Sequence, residues 1–301
     1  MLTYLDHWVQ GDGVRLATRD YGGEGKPILL IHGAGRSLAD WLPMVAGLKR
    51  RHHLVAMDLR GHGLSEPGPW NVAALLGDIE AVLDRFGMEC PNIVGHSMGG
   101  ILGHLYAEQH PETAAVVNLD GFCLVPERLT ELPADVVRID QDREWGEFFS
   151  SRAELLAEAI AGEIDELLKD HRLPIDIASE LVMRCLTRGD DKTHRLTVAG
   201  STGDGMQSFL LRPSFDLFKS VAAARCRTLI LRANAPSVAG MPDWQRRLTL
   251  SRSQAIEAGL RELAGLEQVT VSRIDASHGL IVEMPDRVAG VVTDFLEIGV
   301  T

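Results

Sequence analysis

The segment Asn92-Ile93-Val94-Gly95-His96-Ser97-Met98-Gly99-Gly100 decides how the chain is read. It contains the pattern Gly-x-Ser-x-Gly, which carries little by itself in a chain with 30 glycines. Its surroundings carry more. Residues 92–94 read as a short buried strand, and residues 101–108 as a helix that ends at the turn before Pro111. A serine on so tight a strand-to-helix turn is held in a strained conformation with its hydroxyl projecting outward. Gly95 and Gly99 suit that turn, because strand and helix approach too closely there for a Cβ. The amide of Met98, at the helix N-terminus, faces the place where a negative oxygen would form, and the helix dipole favours negative charge there. Ser97 is the candidate nucleophile.

Working outward, short apolar runs at 14–18, 28–31, 54–57 and 114–119 read as further strands, with two more at 228–231 and 269–274. Leu75, Leu76, Ile79, Val82, Leu83 and Phe86 recur at helical spacing before the strand at 92–94, and residues 286–296 read as a closing helix. Strands alternating with helices predict an α/β domain with a largely parallel sheet. The middle third differs. It is helix-rich, with Leu155, Leu156, Ile160, Ile164, Leu167 and Leu168 on one amphipathic face, it lacks buried-strand runs, and a glycine-rich break follows at 200–205. The expectation is a core domain of residues 1–123 and 224–301, with a helical cap of residues 124–223 inserted between the sixth and seventh strands. Such an insertion would sit over the carboxyl ends of the strands, where open α/β sheets bind ligands.

The 301 residues suffice for one large α/β domain carrying an inserted subdomain. Hydrophobic residues make up 45% and charged residues 24%, close to the globular average. The net charge of −12 and the lack of a basic run argue against nucleic acid as a partner. Cys90, Cys123, Cys185 and Cys226 lie far apart with no ligand spacing, which predicts reduced packing residues and neither a zinc site nor a disulfide framework. The N-terminus shows no secretory pattern and no apolar stretch approaches ~20 residues, so a cytoplasmic protein without a membrane span is expected. No metal or organic cofactor is indicated, and oligomeric state leaves no mark on the sequence.

Three further blocks accompany the serine turn: His32-Gly33-Ala34-Gly35 after the third strand, Asp58-Leu59-Arg60-Gly61-His62-Gly63-Leu64-Ser65 after the fourth, and Ser277-His278-Gly279 before the last helix. With these blocks in this order, the chain resembles the α/β-hydrolase family over nearly its whole length. The resemblance implies an eight-stranded, mostly parallel sheet flanked by helices, with a helical cap between strands 6 and 7. It also implies that the amide of Ala34, after the His-Gly pair, joins that of Met98 in an oxyanion hole. His278 follows a strand, leads into the family's usual entry to its last helix and comes after the nucleophile in chain order, so it is the candidate general base. His96 is expected to point beneath the turn into the core, and His62 to brace its own loop.

The acid departs from the commonest family pattern. Where most relatives carry an Asp after the seventh strand, this chain reads Leu231-Arg232-Ala233-Asn234-Ala235-Pro236-Ser237, with Pro236 in the expected place. Two substitutes exist. Asp120 ends the sixth strand, where a subset of the family takes its acid; a strand end is rigid, and Gly121 permits close approach. Asp243 lies several residues beyond the usual position, on a loop that would have to fold back. Asp120 is preferred; Asp275 reads as a solvated loop carboxylate.

Ser97, His278 and an Asp, with two backbone donors, make an acyl-transfer site. Phe122, Trp145, Phe148, Met206 and Phe209, with Phe149 and Phe215, are candidates to line an apolar pocket. The expected substrate is a small to medium, mostly apolar ester, lactone or thioester. The excess of arginine over lysine fits a GC-rich bacterial source. Two other readings stay open: carbon–carbon bond hydrolysis or cofactor-free oxygenation driven by the His–Asp pair, and a binding protein that keeps the fold without catalysis.

Overall fold

Ile28, Leu29, Leu30 and Ile31 are all fully buried, as a strand covered by helices on both faces must be. The computed structural model in which this is seen describes residues 3–123, 126–129, 132–133, 157–188, 194–197 and 215–298. Its strands are β1 (Leu5–Gln10), β2 (Arg15–Gly22), β3 (Lys26–Ile31), β4 (His52–Met57), β5 (Asn92–His96), β6 (Ala115–Leu119), β7 (Leu186–Arg188), β8 (His194–Leu196), β9 (Arg227–Arg232) and β10 (Val269–Arg273). Eight of them form one sheet in the order β1-β2-β4-β3-β5-β6-β9-β10. β2 pairs antiparallel with β1 and β4, and every other pairing in this sheet is parallel. The expected eight-stranded, mostly parallel sheet is the one observed.

The helices are α1 (Leu42–Leu48), α2 (Val72–Arg85), α3 (Met98–Gln109), α4 (Ala157–Asp170), α5 (Ile175–Met183), α6 (Leu217–Ala223), α7 (Asp243–Leu263), α8 (Leu280–Glu283) and α9 (Pro285–Glu297). Alternate strand residues feed two separate cores, as the two-residue period of a strand requires. On one face Leu29, Ile31, Val55 and Ile93 pack with Leu75, Ile79 and Val82 of α2 and with Ile101, Leu102 and Leu105 of α3. On the other, Ile28, Leu30, Leu54 and Val94 pack with Val45 and Leu48 of α1 and with Val288, Val292 and Phe295 of α9. Buried side chains of this size each contribute about 1.5–3 kcal/mol.

Three elements differ from the sequence reading. β1 escapes a hydrophobic pattern because it is an edge strand: Leu5 and Trp8 are exposed, and of its residues only Val9 is buried. The stretch expected as a loop around Asp243 is instead the start of the 21-residue helix α7, whose buried stripe of Trp244, Leu248, Ala255, Ile256, Leu260 and Leu263 is diluted by arginines and glutamates. Within the range expected to be helical, β7 and β8 form a short antiparallel hairpin. In the same range, Leu217, Phe218 and Val221 of α6 join the core beside α3, and Ala178 and Leu181 of α5 join the opposite core beside Leu38 and Trp41. Leu155 and Leu156 lie outside the described residues. Among the described residues no helix is long and apolar enough to cross a membrane.

Candidate active site

The turn between β5 and α3 is built on contacts that exclude side chains. A Cβ on Gly95 would lie 2.1 Å from the carbonyl carbon of Gly99, and one on Gly99 would lie 2.0 Å from the Ile31 carbonyl oxygen. Ser97 caps α3 with φ 52° and ψ −117°, a conformation that a non-glycine residue adopts only when its surroundings over-determine it. Its amide donates to the Leu119 carbonyl oxygen at 2.9 Å, which ties the turn to the end of β6. The strain is thus sustained by close packing on three sides. Gly95→Ala is expected to destabilise the protein by about 3 kcal/mol or more, read as a lowered urea midpoint, because the obstructing atoms are backbone and cannot swing aside.

His278 lies in the loop between β10 and α8. Its Nδ1 is 2.8 Å from Oδ2 of Asp120, and its side chain is 58% exposed whereas that of Asp120 is 4% exposed. With the Nδ1 proton directed at the carboxylate, Nε2 keeps the lone pair that a general base needs. Asp120 directly follows β6 with φ 55°, and Gly121 beside it is packed so that a Cβ would lie 2.1 Å from the Ser97 carbonyl oxygen. The other carboxylate oxygen, Oδ1, accepts from Arg232 Nη1 at 2.7 Å and from the Ala233 amide at 3.0 Å. Burial alone would raise the Asp120 carboxyl; the His278 hydrogen bond and the Arg232 charge outweigh it and hold the group below the usual carboxylate range.

His96 does more than fill space under the turn. Its Nε2–H donates to the His278 carbonyl oxygen at 2.8 Å, with the two rings 4.9 Å apart. The residue preceding Ser97 therefore fixes the loop that bears His278. Nothing in the sequence signalled this bond, since it joins residues 182 apart.

The loop bearing Ala34 runs against the same turn: a Cβ on Gly33 would stand 3.2 Å from Cβ of Ser97. Two buried histidines brace it. His32 Nδ1–H donates to the Gly33 carbonyl oxygen at 2.7 Å, and its Nε2 accepts from the Leu59 amide at 3.0 Å. His62 Nε2 accepts from the Gly35 amide at 3.1 Å, and its Nδ1–H donates to the Arg60 carbonyl oxygen at 3.2 Å. Each ring thus spans the loops after β3 and β4, so the expectation that His62 braces its loop covers only half of its contacts. Asp58 completes the frame by accepting from the amides of Leu38 at 2.7 Å and Leu64 at 2.9 Å and from Arg184 Nη2 at 2.9 Å.

His32 and His62 accept amide protons and must be neutral, and His96 is buried with Nδ1 lacking a hydrogen-bond partner among the described residues. Burial lowers His32 and His96 from 6.5 to about 4 and His62 to about 3. Below about 6.5 the unfolded chain takes up protons that the native rings refuse until about pH 4, so the free energy of unfolding falls as pH drops through that window. A urea midpoint that declines between pH 6.5 and 4 is expected; a flat one would show that these rings are protonated in the native state.

Of the other candidate residues, Phe122 stands beside the site, its ring 5.2 Å from the Arg232 guanidinium carbon. Trp145, Phe148, Phe149, Met206 and Phe209 lie outside the described residues. Asp243 is exposed at the start of α7, with its carboxylate on Arg246 at 2.6 Å. Asp275 is exposed and accepts from Asn234 at 2.7 Å.

A family model for the alpha/beta hydrolase fold matches residues 26–174. The curated sequences similar to the chain include the dihydrolipoyllysine-residue acetyltransferase component of the acetoin cleaving system of Cupriavidus necator, 35% identical over 116 residues, which are 37% of this chain and 31% of that protein. The chain spans about a third of the length of such curated relatives (31%, 41% and 30% of three of them). Among solved structures, an E-2-(acetamidomethylene)succinate hydrolase superposes with TM-score 0.73 at 19% identity, covering 98% of this chain and all of that one. A thioesterase domain from the curacin biosynthetic pathway superposes with TM-score 0.69 at 15% identity, covering 97% and 99%. The chain has the α/β-hydrolase fold.

Proposed function

We propose that the protein is a serine hydrolase that cleaves a small to medium, mostly apolar ester, lactone or thioester through a covalent acyl-enzyme. The observation that carries this reading is the 2.8 Å contact between His278 Nδ1 and Asp120 Oδ2, set beside the strained turn of Ser97. In this mechanism His278 Nε2 takes the Ser97 proton as Oγ attacks the carbonyl carbon. The amides of Ala34 and Met98 hold the oxyanion, and the imidazolium then protonates the leaving group. Water deprotonated by His278 attacks the acyl carbon, releases the acid and restores Ser97. Phe122, with Trp145, Phe148, Met206 and Phe209 from the 124–223 cap, would line the acyl pocket. Relatives on this fold named as a hydrolase and a thioesterase are consistent with such chemistry.

The test combines labelling with turnover. A fluorophosphonate should add its mass to the peptide containing Ser97, and a panel of activated aryl esters graded in acyl length should reveal a substrate. A panel without turnover and a protein without label would overturn the proposal.

A further inference from the structure

β9 lies beside β6 in parallel register, with Leu231 opposite Leu119 and the Asp120 amide donating to the Leu231 carbonyl oxygen at 2.9 Å. The next residue of β9, Arg232, therefore stands abreast of Asp120. Its side chain is 5% exposed, it gives Nη1–H to Asp120 Oδ1 at 2.7 Å, and its guanidinium carbon lies 5.2 Å from the Phe122 ring. Behind it, Glu257 of α7 approaches Nε only to 3.9 Å, and the Glu257 carboxylate is held by the Arg273 fork. Among the described residues Arg232 Nε has no hydrogen-bond partner. The Asp120 contact is thus the principal anchor of a buried cation.

A buried ion pair is a poor device for stability alone, since a packed apolar pair of similar volume commonly serves as well or better. Here one partner cannot be replaced, because its second oxygen holds the Nδ1–H of His278. The strand end that in most relatives supplies the acid supplies an arginine to the acid instead. We propose that Arg232 is a positioning residue of the catalytic relay, fixing the Asp120 carboxylate against His278 and tempering the negative charge that the imidazolium meets. This rests on the reading of Ser97, His278 and Asp120 as that relay.

The charges around His278 allow the sign to be worked out. Asp120 faces it from β6, His96 from the end of β5, and Arg232 stands behind Asp120, with Glu257 and Arg273 beyond. On its own loop, Asp275 accepts from Asn234, and Glu283 accepts from the amide and hydroxyl of Ser277. Removing the Arg232 charge leaves Asp120 less compensated, so the protonated ring is favoured. The acid limb of the kcat/KM profile must then move to higher pH.

The experiment compares Arg232→Gln, Arg232→Met and Arg232→Lys with the wild-type protein, using an aryl ester it turns over, between pH 5 and 9. Glutamine can still donate to Asp120 but carries no charge, which separates charge from hydrogen bonding. Expected for Gln and Met is an acid limb about one pH unit higher, with a plateau about tenfold lower. Lys should keep the limb near its wild-type place, although its plateau also falls because the planar fork is lost. A folded Arg232→Gln protein with an unmoved limb would overturn the proposal and leave Arg232 a packing residue. If neither neutral variant folds, the surface variant Glu257→Gln decides: losing that carboxylate should lower the limb by a few tenths of a unit, and an unmoved limb would overturn the proposal. Failure of the underlying relay shows differently, as wild-type protein that phosphonate does not label.

Discussion

Ser97→Ala should lower kcat by about five to six orders of magnitude on any ester the protein turns over, with KM little changed. The size of the loss follows from the role: without Oγ there is no acyl-enzyme, and His278, Asp120 and the amides of Ala34 and Met98 are left to activate water alone. The variant should remain folded, because the crowding at the turn involves Gly95, Gly99, Gly121 and the Ser97 backbone rather than the Ser97 hydroxyl. Alanine also accommodates φ 52° no worse than serine does. A stopped-assay limit below one part in ten thousand of wild-type kcat, at unchanged melting temperature, is the result to look for. Substantial residual turnover would instead favour chemistry driven by the His–Asp pair, in which a serine only orients the substrate.

Asp120→Asn should cost about four orders of magnitude in kcat, whereas Asp243→Asn should change it less than twofold. An asparagine at 120 can present its amide nitrogen toward Nδ1 and so favour the tautomer with the proton on Nε2, which disables the base while leaving the ring in place. Arg232 and the Ala233 amide already donate to Oδ1, so an amide nitrogen is unwelcome there and the carboxamide oxygen settles at Oδ1. That preference directs the wrong group at His278 and sharpens the loss. Asp243, by contrast, forms an exposed ion pair within the first turn of α7, of the kind worth little to stability. Steady-state kinetics of the two variants on one ester check both outcomes; the reverse ranking would reassign the acid.

The fold was legible because its strands announce themselves. The runs in β3, β4, β5 and β6 are short, mostly apolar and bounded by Gly, Pro and Asp, and their burial explains why polar residues within them are few; Asn118 in β6 is buried with its amide paired to the Gly121 backbone. β1 and α7 were not legible, for opposite reasons: one is an edge with little to bury, the other a helix whose apolar stripe is spread among charges. At the candidate site, Ser97, His278 and Asp120 could be named because each sits at the end of a strand beside a glycine or in a recurring block. The links among them could not. That His96 grips the His278 carbonyl, that His32 and His62 stitch two loops, and that Arg232 meets Asp120 are contacts between residues far apart in sequence. They depend on sheet order, which places β9 beside β6 only once the intervening hundred-odd residues have been looped out.

The sheet order also redistributes constraint along the chain. With Asp120 at the end of β6, the stretch between β9 and α7 meets that carboxylate through the Ala233 amide, beside Arg232 at the strand end, and Asn234 secures the loop that bears His278 through Asp275. Residues 235–242 then run over the surface before α7 begins. That short arc is a vacant lot in the architecture: a place where sequence can drift, lengthen or receive a grafted peptide while the contact between Asp120 and His278 keeps its geometry.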